Sequence, residues 1–70
     1  MPDNVYSVSE IVGSSRDSIE DAIATALSRA HKTVRNLDWF EVTEIRGHLG
    51  ADGSVGHYQV ALKLGFRMDG

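Results

Sequence analysis

The sequence contains no cysteine and only one proline among its 70 residues. Without cysteine the chain has no disulfides, no thiolate metal ligands and no cysteine nucleophile. A chain this short buries only about 60% of the surface that its unfolded form exposes. Such small domains usually gain stability from disulfides, metals or oligomerisation. We therefore expect residues 1–70 to form a single domain that is stabilised by self-association.

The sequence also lacks an excess of basic residues and a long hydrophobic run. It has 7 Lys and Arg against 10 Asp and Glu, for a formal net charge of −3, whereas nucleic-acid-binding domains are normally basic. No apolar run approaches the roughly 20 residues of a membrane span. The first residues lack the charged and apolar regions of a signal peptide. These features predict a cytoplasmic protein that binds neither nucleic acid nor membrane.

Motifs for catalysis are missing as well. The sequence has no Gly-x-Ser-x-Gly, no GxxxxGK phosphate loop and no carboxylate pair with a clear spacing. The run Gly13-Ser14-Ser15 resembles an anion-binding turn at a helix N-terminus. Ser14 followed by Asp17 three residues later also matches a helix-capping box, which we prefer as the interpretation. We predict that the protein is not an enzyme.

Hydrophobic periodicity predicts four elements. The β-branched and aromatic residues of 5–12 predict a first strand that ends at Gly13. Apolar residues at three- and four-residue steps from Ile19 to Val34 predict an amphipathic helix. After a connection over 36–38, a second strand begins at Trp39. A turn at Asp52-Gly53 leads to the third strand, because both residues tolerate positive φ.

The third strand alternates clearly between two faces. One face carries Tyr58, Val60, Leu62, Leu64 and Phe66, and we expect it to pack against the helix. In the second strand Phe40 and Val42 are out of phase with Ile45 and Leu49, and a bulge near Thr43-Glu44 would restore the phase. We then expect a second set to face the helix as well: Phe40, Val42, Ile45, Gly47 and Leu49.

The predicted fold class is therefore α+β, a β-α-β-β unit with a three-stranded antiparallel sheet and one helix packed on one face. The other, outer face of the sheet would carry Trp39, Glu41, Arg46, His48 and Gln59. This set suits a planar heterocycle that bears phosphate. Indole offers stacking, a glutamine amide offers an acceptor and two donors, and arginine offers a bidentate cation.

Each of these residues also has a simpler interpretation. A lone tryptophan is more often a core or subunit-interface residue than a ligand contact. Arg46 taken alone fits a surface salt bridge, and Gln59 fits a solvated strand position. His48 and His57 do not have a spacing that is diagnostic of a metal site, so we predict no metal.

The pattern as a whole resembles the bacterial branch of the dodecin family of flavin-binding proteins. The resemblance spans nearly the whole chain, and three groups of residues carry it most specifically: Leu37-Asp38-Trp39-Phe40-Glu41-Val42, Ile45-Arg46-Gly47 and Tyr58-Gln59-Val60. Residues 10–15 and 65–67 extend it.

The resemblance implies a hollow homododecamer with 23 symmetry. It implies that Trp39 lines a site near a twofold axis, where two isoalloxazine rings stack between symmetry-related indoles. Gln59 matches the glutamine that binds the isoalloxazine edge, and Arg46 matches the arginine that meets the flavin phosphate, which favours FMN over riboflavin. Riboflavin and FAD stay open as alternative flavins. His48 would add to phosphate binding or line the pocket wall. Coenzyme A remains open as an additional ligand.

Three functions compete at this point. The leading hypothesis is a binding protein that stores, buffers or sequesters FMN, with quenching and photoprotection as a consequence. The second is a structural assembly or interaction module without flavin. A flavoenzyme is the weakest, because stacking would block both faces of the flavin and no acid or base is poised to act.

Overall fold

The computed structural model describes residues 3–69 and contains three strands and one helix. The strands are β1 (Tyr6–Ser15), β2 (Leu37–Leu49) and β3 (Val55–Arg67), and the helix is α1 (Ile19–Thr33). The sheet is antiparallel in the order β1-β3-β2. The predicted β-α-β-β fold is confirmed. Among residues 3–69 no helix is long and apolar enough to cross a membrane.

Strand β1 is longer than predicted, and Gly13 lies inside it rather than at its end. It pairs with Val60 of β3 directly beneath α1. A Cβ at Gly13 would collide with the carbonyl oxygen of Ala22 and would lie 2.8 Å from the Cβ of Ala26. The glycine therefore permits a close approach of helix and strand.

The helix cap is Ser18, so the prediction of Ser14 was wrong. The Ser18 hydroxyl accepts a hydrogen bond from the Asp21 N–H at 2.9 Å. The hydroxyl of Ser15 accepts from the Asp17 N–H at 2.9 Å and donates to the carboxylate of Asp21 at 2.7 Å. Ser14 is instead part of β1, where it pairs with Gln59.

The core lies between α1 and the two strands β1 and β3. The helix contributes Ala22, Ala26 and Ala30, while β3 contributes three fully buried side chains: Val60, Leu62 and Leu64. Small residues on the buried stripe of the helix let it lie close to the sheet. The predicted helix-side face of β3 is confirmed, because Val60, Leu62 and Leu64 form one buried cluster with the alanines of α1.

Strand β2 shows the predicted bulge but not the predicted packing. The register shifts between Val42 and Glu44, so that Val42 pairs with Leu62 and Ile45 with Val60 on the helix side of the sheet. The helix, however, packs mainly on β1 and β3. The helix-side residues of β2 are therefore largely uncovered, and the expectation that they pack against the helix was wrong: Phe40 is 47%, Val42 38%, Ile45 56% and Leu49 70% exposed.

The connections follow local turn chemistry. Asn36 adopts φ 61° between α1 and β2, a conformation that asparagine tolerates better than most residues. Strand β2 begins at Leu37, two residues earlier than predicted. In the hairpin, Gly53 has φ 86° and the Gly50 N–H donates to the Ser54 carbonyl at 2.7 Å, which confirms the predicted turn.

Candidate functional site

Trp39 lies on the outer face of the sheet, on the side away from α1. It pairs with Gly65, whereas the next residue, Phe40, pairs with the buried Leu64 on the helix side. The indole lies directly on Gly65, because a Cβ at that glycine would collide with the indole carbons. The side chain remains 39% exposed, so its outward surface is open.

Tyr6 holds the indole of Trp39 from the side. The two ring centroids are 5.9 Å apart and the ring planes are inclined by 58°, which is a tilted geometry that aromatic pairs favour. The Tyr6 hydroxyl in turn donates to the Asp38 carboxylate at 2.9 Å. Gly65 therefore supports Trp39 from below and Tyr6 from beside, while Asp38 holds Tyr6 in place. The sequence pattern did not predict these roles. A glycine at an outer-face position opposite the tryptophan was the available signal.

A polar row crosses all three strands toward the hairpin end of the same face. Arg46 pairs with Gln59, and Gln59 pairs with Ser14. The Arg46 guanidinium donates to Gln59 Oε1 at 3.4 Å and to Glu44 Oε1 at 3.1 Å. The Gln59 amide donates to Ser14 Oγ at 3.4 Å. The two bonds to Gln59 are long, and are therefore weaker than those at usual donor–acceptor distances.

His48 occupies the next row on the same face. It pairs across the strands with His57, and the two imidazole rings are stacked with centroids 4.6 Å apart and planes inclined by 22°. His48 is exposed and His57 is half-buried. Across residues 3–69 no three His, Cys, Asp or Glu side chains are grouped as a metal site requires.

The four candidate residues share one face but form two separate groups. Trp39 lies opposite Gly65, and Gln59 is six positions away along β3, which corresponds to about 20 Å at the usual rise of a strand. Arg46 and His48 lie beside Gln59. One protomer therefore does not bring its own indole next to its own amide and guanidinium.

Asp52 stabilises the turn between β2 and β3 through hydrogen bonds from Ser54. Its carboxylate accepts from the Ser54 hydroxyl at 2.6 Å and from the Ser54 N–H at 3.0 Å. These hydrogen bonds, the one from the hydroxyl above all, hold the pKa of Asp52 below its ordinary value. The turn is therefore best stabilised when this carboxylate is ionised.

These features define a class of protein: a small three-stranded sheet protein with one helix on one side and an open aromatic and polar face on the other. The dodecin family model matches residues 5–69. The dodecin of Thermus thermophilus is 55% identical over 65 residues, which cover 93% of each chain. The chain belongs to the dodecin family.

Solved dodecin structures agree with the fold. The dodecin of Streptomyces coelicolor superposes with a TM-score of 0.90 at 50% identity, covering 100% of this chain and 99% of that one. The dodecin of Streptomyces davaonensis gives 0.90 at 46% identity, covering 99% and 100%. Membership confirms a small, self-assembling, flavin-binding protein. Dodecins are flavin-binding storage proteins rather than enzymes, which confirms the prediction of no catalytic activity.

Proposed function

We propose that this protein stores and sequesters FMN in stacked pairs between Trp39 side chains of symmetry-related subunits in a hollow homododecamer of 23 symmetry. Residues 1–70 act as one domain. Riboflavin and FAD carry the same ring system and are alternative ligands, and the proposal makes no commitment on coenzyme A. The cytoplasmic location stays a prediction. The observation that carries the proposal is the open outward surface of the Trp39 indole.

The setting of Trp39 suits a flat aromatic ligand. One surface of the indole rests on Gly65, and Tyr6, which is bonded to Asp38, restrains its edge. A ring that is fixed before the ligand arrives loses little further freedom on binding, which favours affinity. Stacking of an aromatic heterocycle on such a ring contributes roughly 1–3 kcal/mol, by analogy with nucleic-acid bases.

The polar row suits the rest of the ligand. The Gln59 amide offers one acceptor and two donors, which match the carbonyl and N–H edge of an isoalloxazine. Its present partners, Arg46 and Ser14, are bonded at 3.4 Å and are replaced at little cost. Arg46, which is 43% exposed, can then turn its planar donors to the FMN phosphate. We assign His48 beside Arg46 to the same phosphate.

The site requires more than one subunit. Trp39 and Gln59 of one protomer are about 20 Å apart along β3, and the protomer is only 14 Å deep in its shortest dimension. A flavin that touches both residue types therefore takes them from different copies. The uncovered helix-side residues of β2 supply an apolar surface for such an assembly, with Phe40 and Ile45 about half exposed.

Quenching of flavin fluorescence follows from the stacking of the flavin on Trp39. Bound flavin supplies visible absorption, and an indole stacked against it is an electron donor at van der Waals distance. The protein would therefore be yellow and weakly fluorescent, and would limit light-driven side reactions of the cofactor. A structural assembly without flavin, the competing hypothesis, would be colourless and would ignore added FMN.

The test is a fluorescence titration of FMN with the unmodified protein and three variants. Trp39→Ala should weaken FMN binding by about tenfold or more, as expected for the loss of one stacking contact. Trp39→Phe, which keeps a smaller ring, should fall between Trp39→Ala and the unmodified protein. Tyr58→Phe, on the helix side of β3, is the control and should bind normally. Unchanged FMN affinity in Trp39→Ala would refute the proposal.

A further inference from the structure

The turn between β2 and β3 contains a dipeptide that is chemically reactive. Asp52-Gly53 is one of two Asp-Gly pairs in the sequence, and the other is Asp69-Gly70. In such a pair the glycine nitrogen can attack the carboxyl carbon of the aspartate side chain, because glycine has no side chain to hinder the approach. The new C–N bond closes a succinimide ring, and the carboxyl hydroxyl leaves as water with the amide proton. Addition of water to the ring returns aspartate or gives isoaspartate, which lengthens the main chain by a methylene group.

Packing does not block this reaction in the turn. A Cβ built on Gly53 would meet no heavy atom within 4 Å, so the glycine faces open space. The residues from Gly50 to Gly56 are all exposed, which leaves the dipeptide accessible to water. The hydrogen bonds of the turn are therefore what restrains the two reacting groups.

Both reacting groups are engaged in hydrogen bonds. The Gly53 N–H donates to the Gly50 carbonyl at 3.0 Å, so the proton that must leave the nitrogen is already bonded. The Asp52 carboxylate accepts from the Ser54 hydroxyl at 2.6 Å and from the Ser54 N–H at 3.0 Å, and the short bond from the hydroxyl is of the strong, charge-assisted kind. Ring closure has to release these bonds, because the carboxyl carbon must turn toward the Gly53 nitrogen. The same bonds lower the pKa of Asp52 and so favour the carboxylate, which is a poorer electrophile than the neutral acid.

We propose that Ser54 protects Asp52-Gly53 from succinimide formation, and that this dipeptide becomes a site of isoaspartate formation when the Ser54 hydroxyl is removed. The protection is independent of flavin binding. It nevertheless bears on the polar row, because an extra methylene group in the turn would disturb the pairing of the two strands that the turn joins. That pairing places Arg46 beside Gln59.

The test is prolonged incubation of the folded protein at pH 5, where part of an ordinary aspartate, with a pKa of about 3.9, is still neutral. Peptide mapping by mass spectrometry then measures succinimide, which has lost one water, and isoaspartate at Asp52. Ser54→Ala should raise the rate at Asp52 by about threefold to tenfold, as expected for the loss of one hydrogen bond to an exposed charged group. Ser54→Thr, which keeps the hydroxyl, should react as slowly as the unmodified protein.

Asp69-Gly70 is the internal reference, and its rate should be the same in Ser54→Ala as in the unmodified protein. Ser28→Ala, at an exposed position of α1, is the matched control and should leave the rate at Asp52 unchanged. Incubation in guanidinium chloride gives the rate for the unfolded chain, which should exceed that of the folded protein at Asp52. Equal rates at Asp52 in Ser54→Ala and the unmodified protein, or in the folded and unfolded chain, would overturn the inference. A parallel rise at Asp69 in Ser54→Ala would overturn it as well, because the effect would then not be local to the turn.

Discussion

At the scale of single residues, the proposed flavin site depends on the contact between Trp39 and Gly65. The strand alternation predicts that the indole points away from the helix. It does not predict the support beneath and beside it, because Gly65, Tyr6 and Asp38 come from positions far apart in the sequence and meet only through the pairing of the three strands. The same holds for Ser14, which the structure places against Gln59 rather than at a helix end.

A methyl group at position 65 tests this contact. In Gly65→Ala the new Cβ would collide with the Trp39 indole, so the ring must tilt away from the sheet. We expect FMN affinity to fall by about tenfold, comparable to the loss of the stacking contact, and the tryptophan emission spectrum of the flavin-free protein to shift.

Gly47→Ala is the matched control for this variant. Its Cβ would meet Val55 Cγ1 at 3.6 Å, which is an ordinary contact, so flavin affinity should be retained. If Gly65→Ala and Gly47→Ala bound FMN equally well, flavin binding would not depend on the contact between the Trp39 indole and Gly65.

At the scale of elements, the local patterns predict the elements well and their packing less well. The alternation of β3 and the phase break at Thr43 predict a face and a bulge that the structure contains. The order β1-β3-β2 is a long-range property that no local period encodes. It places the helix over β1 and β3 and leaves Phe40 and Ile45 of β2 uncovered.

The two candidate helix caps also show that a local sequence pattern does not encode long-range strand pairing. Ser14 and Ser18 are each followed by an aspartate three residues later, so the local signal is identical. Pairing of Ser15 with Tyr58 extends β1 and moves the start of the helix to Ser18. We expect Ser18→Ala to lower the free energy of unfolding by about 1 kcal/mol.

Ser14→Ala is the corresponding control, and it should change the free energy of unfolding by less than about 0.5 kcal/mol. Urea unfolding of both variants measures the difference. A larger loss in Ser14→Ala than in Ser18→Ala would contradict the assigned cap.

The hairpin should show a pH dependence of stability that comes from Asp52. Its pKa is lowered in the folded protein by the hydrogen bonds from Ser54, so the carboxylate stabilises the fold above the ordinary aspartate pKa of about 3.9. This contribution is lost as the pH falls through the lowered folded pKa. We expect Asp52→Asn to be less stable than the unmodified protein at pH 6 and to converge with it near pH 2 in urea unfolding. A stability difference independent of pH would contradict this assignment.

At the scale of the whole molecule, the protomer is incomplete in two respects. Its helix leaves the apolar side of β2 exposed, and its outer face separates the indole from the amide and the guanidinium by about 20 Å along the strands. In the proposed assembly both are resolved by the same event, association with further copies. Assembly and flavin binding should therefore be lost together when the β2 surface is made charged.

Ile45→Lys tests this coupling, because Ile45 is 56% exposed on the helix side of β2. A charge there should prevent assembly, since a lysine would have to be desolvated at an apolar interface, and should abolish FMN binding although no flavin-contacting residue is changed. Ala51→Lys in the exposed turn is the control and should assemble and bind FMN normally. An unassembled Ile45→Lys protein that still quenched FMN fluorescence would contradict a site shared between subunits.

The most direct test of the central claim is sedimentation of the FMN-loaded protein, followed at a wavelength that only flavin absorbs. The site proposed here predicts that all bound flavin sediments with a particle of about 91 kDa, twelve times the 7.6 kDa chain. It also predicts that Trp39→Ala forms the same particle without flavin. Flavin that sediments with a single 7.6 kDa chain, or a fully loaded Trp39→Ala particle, would contradict it.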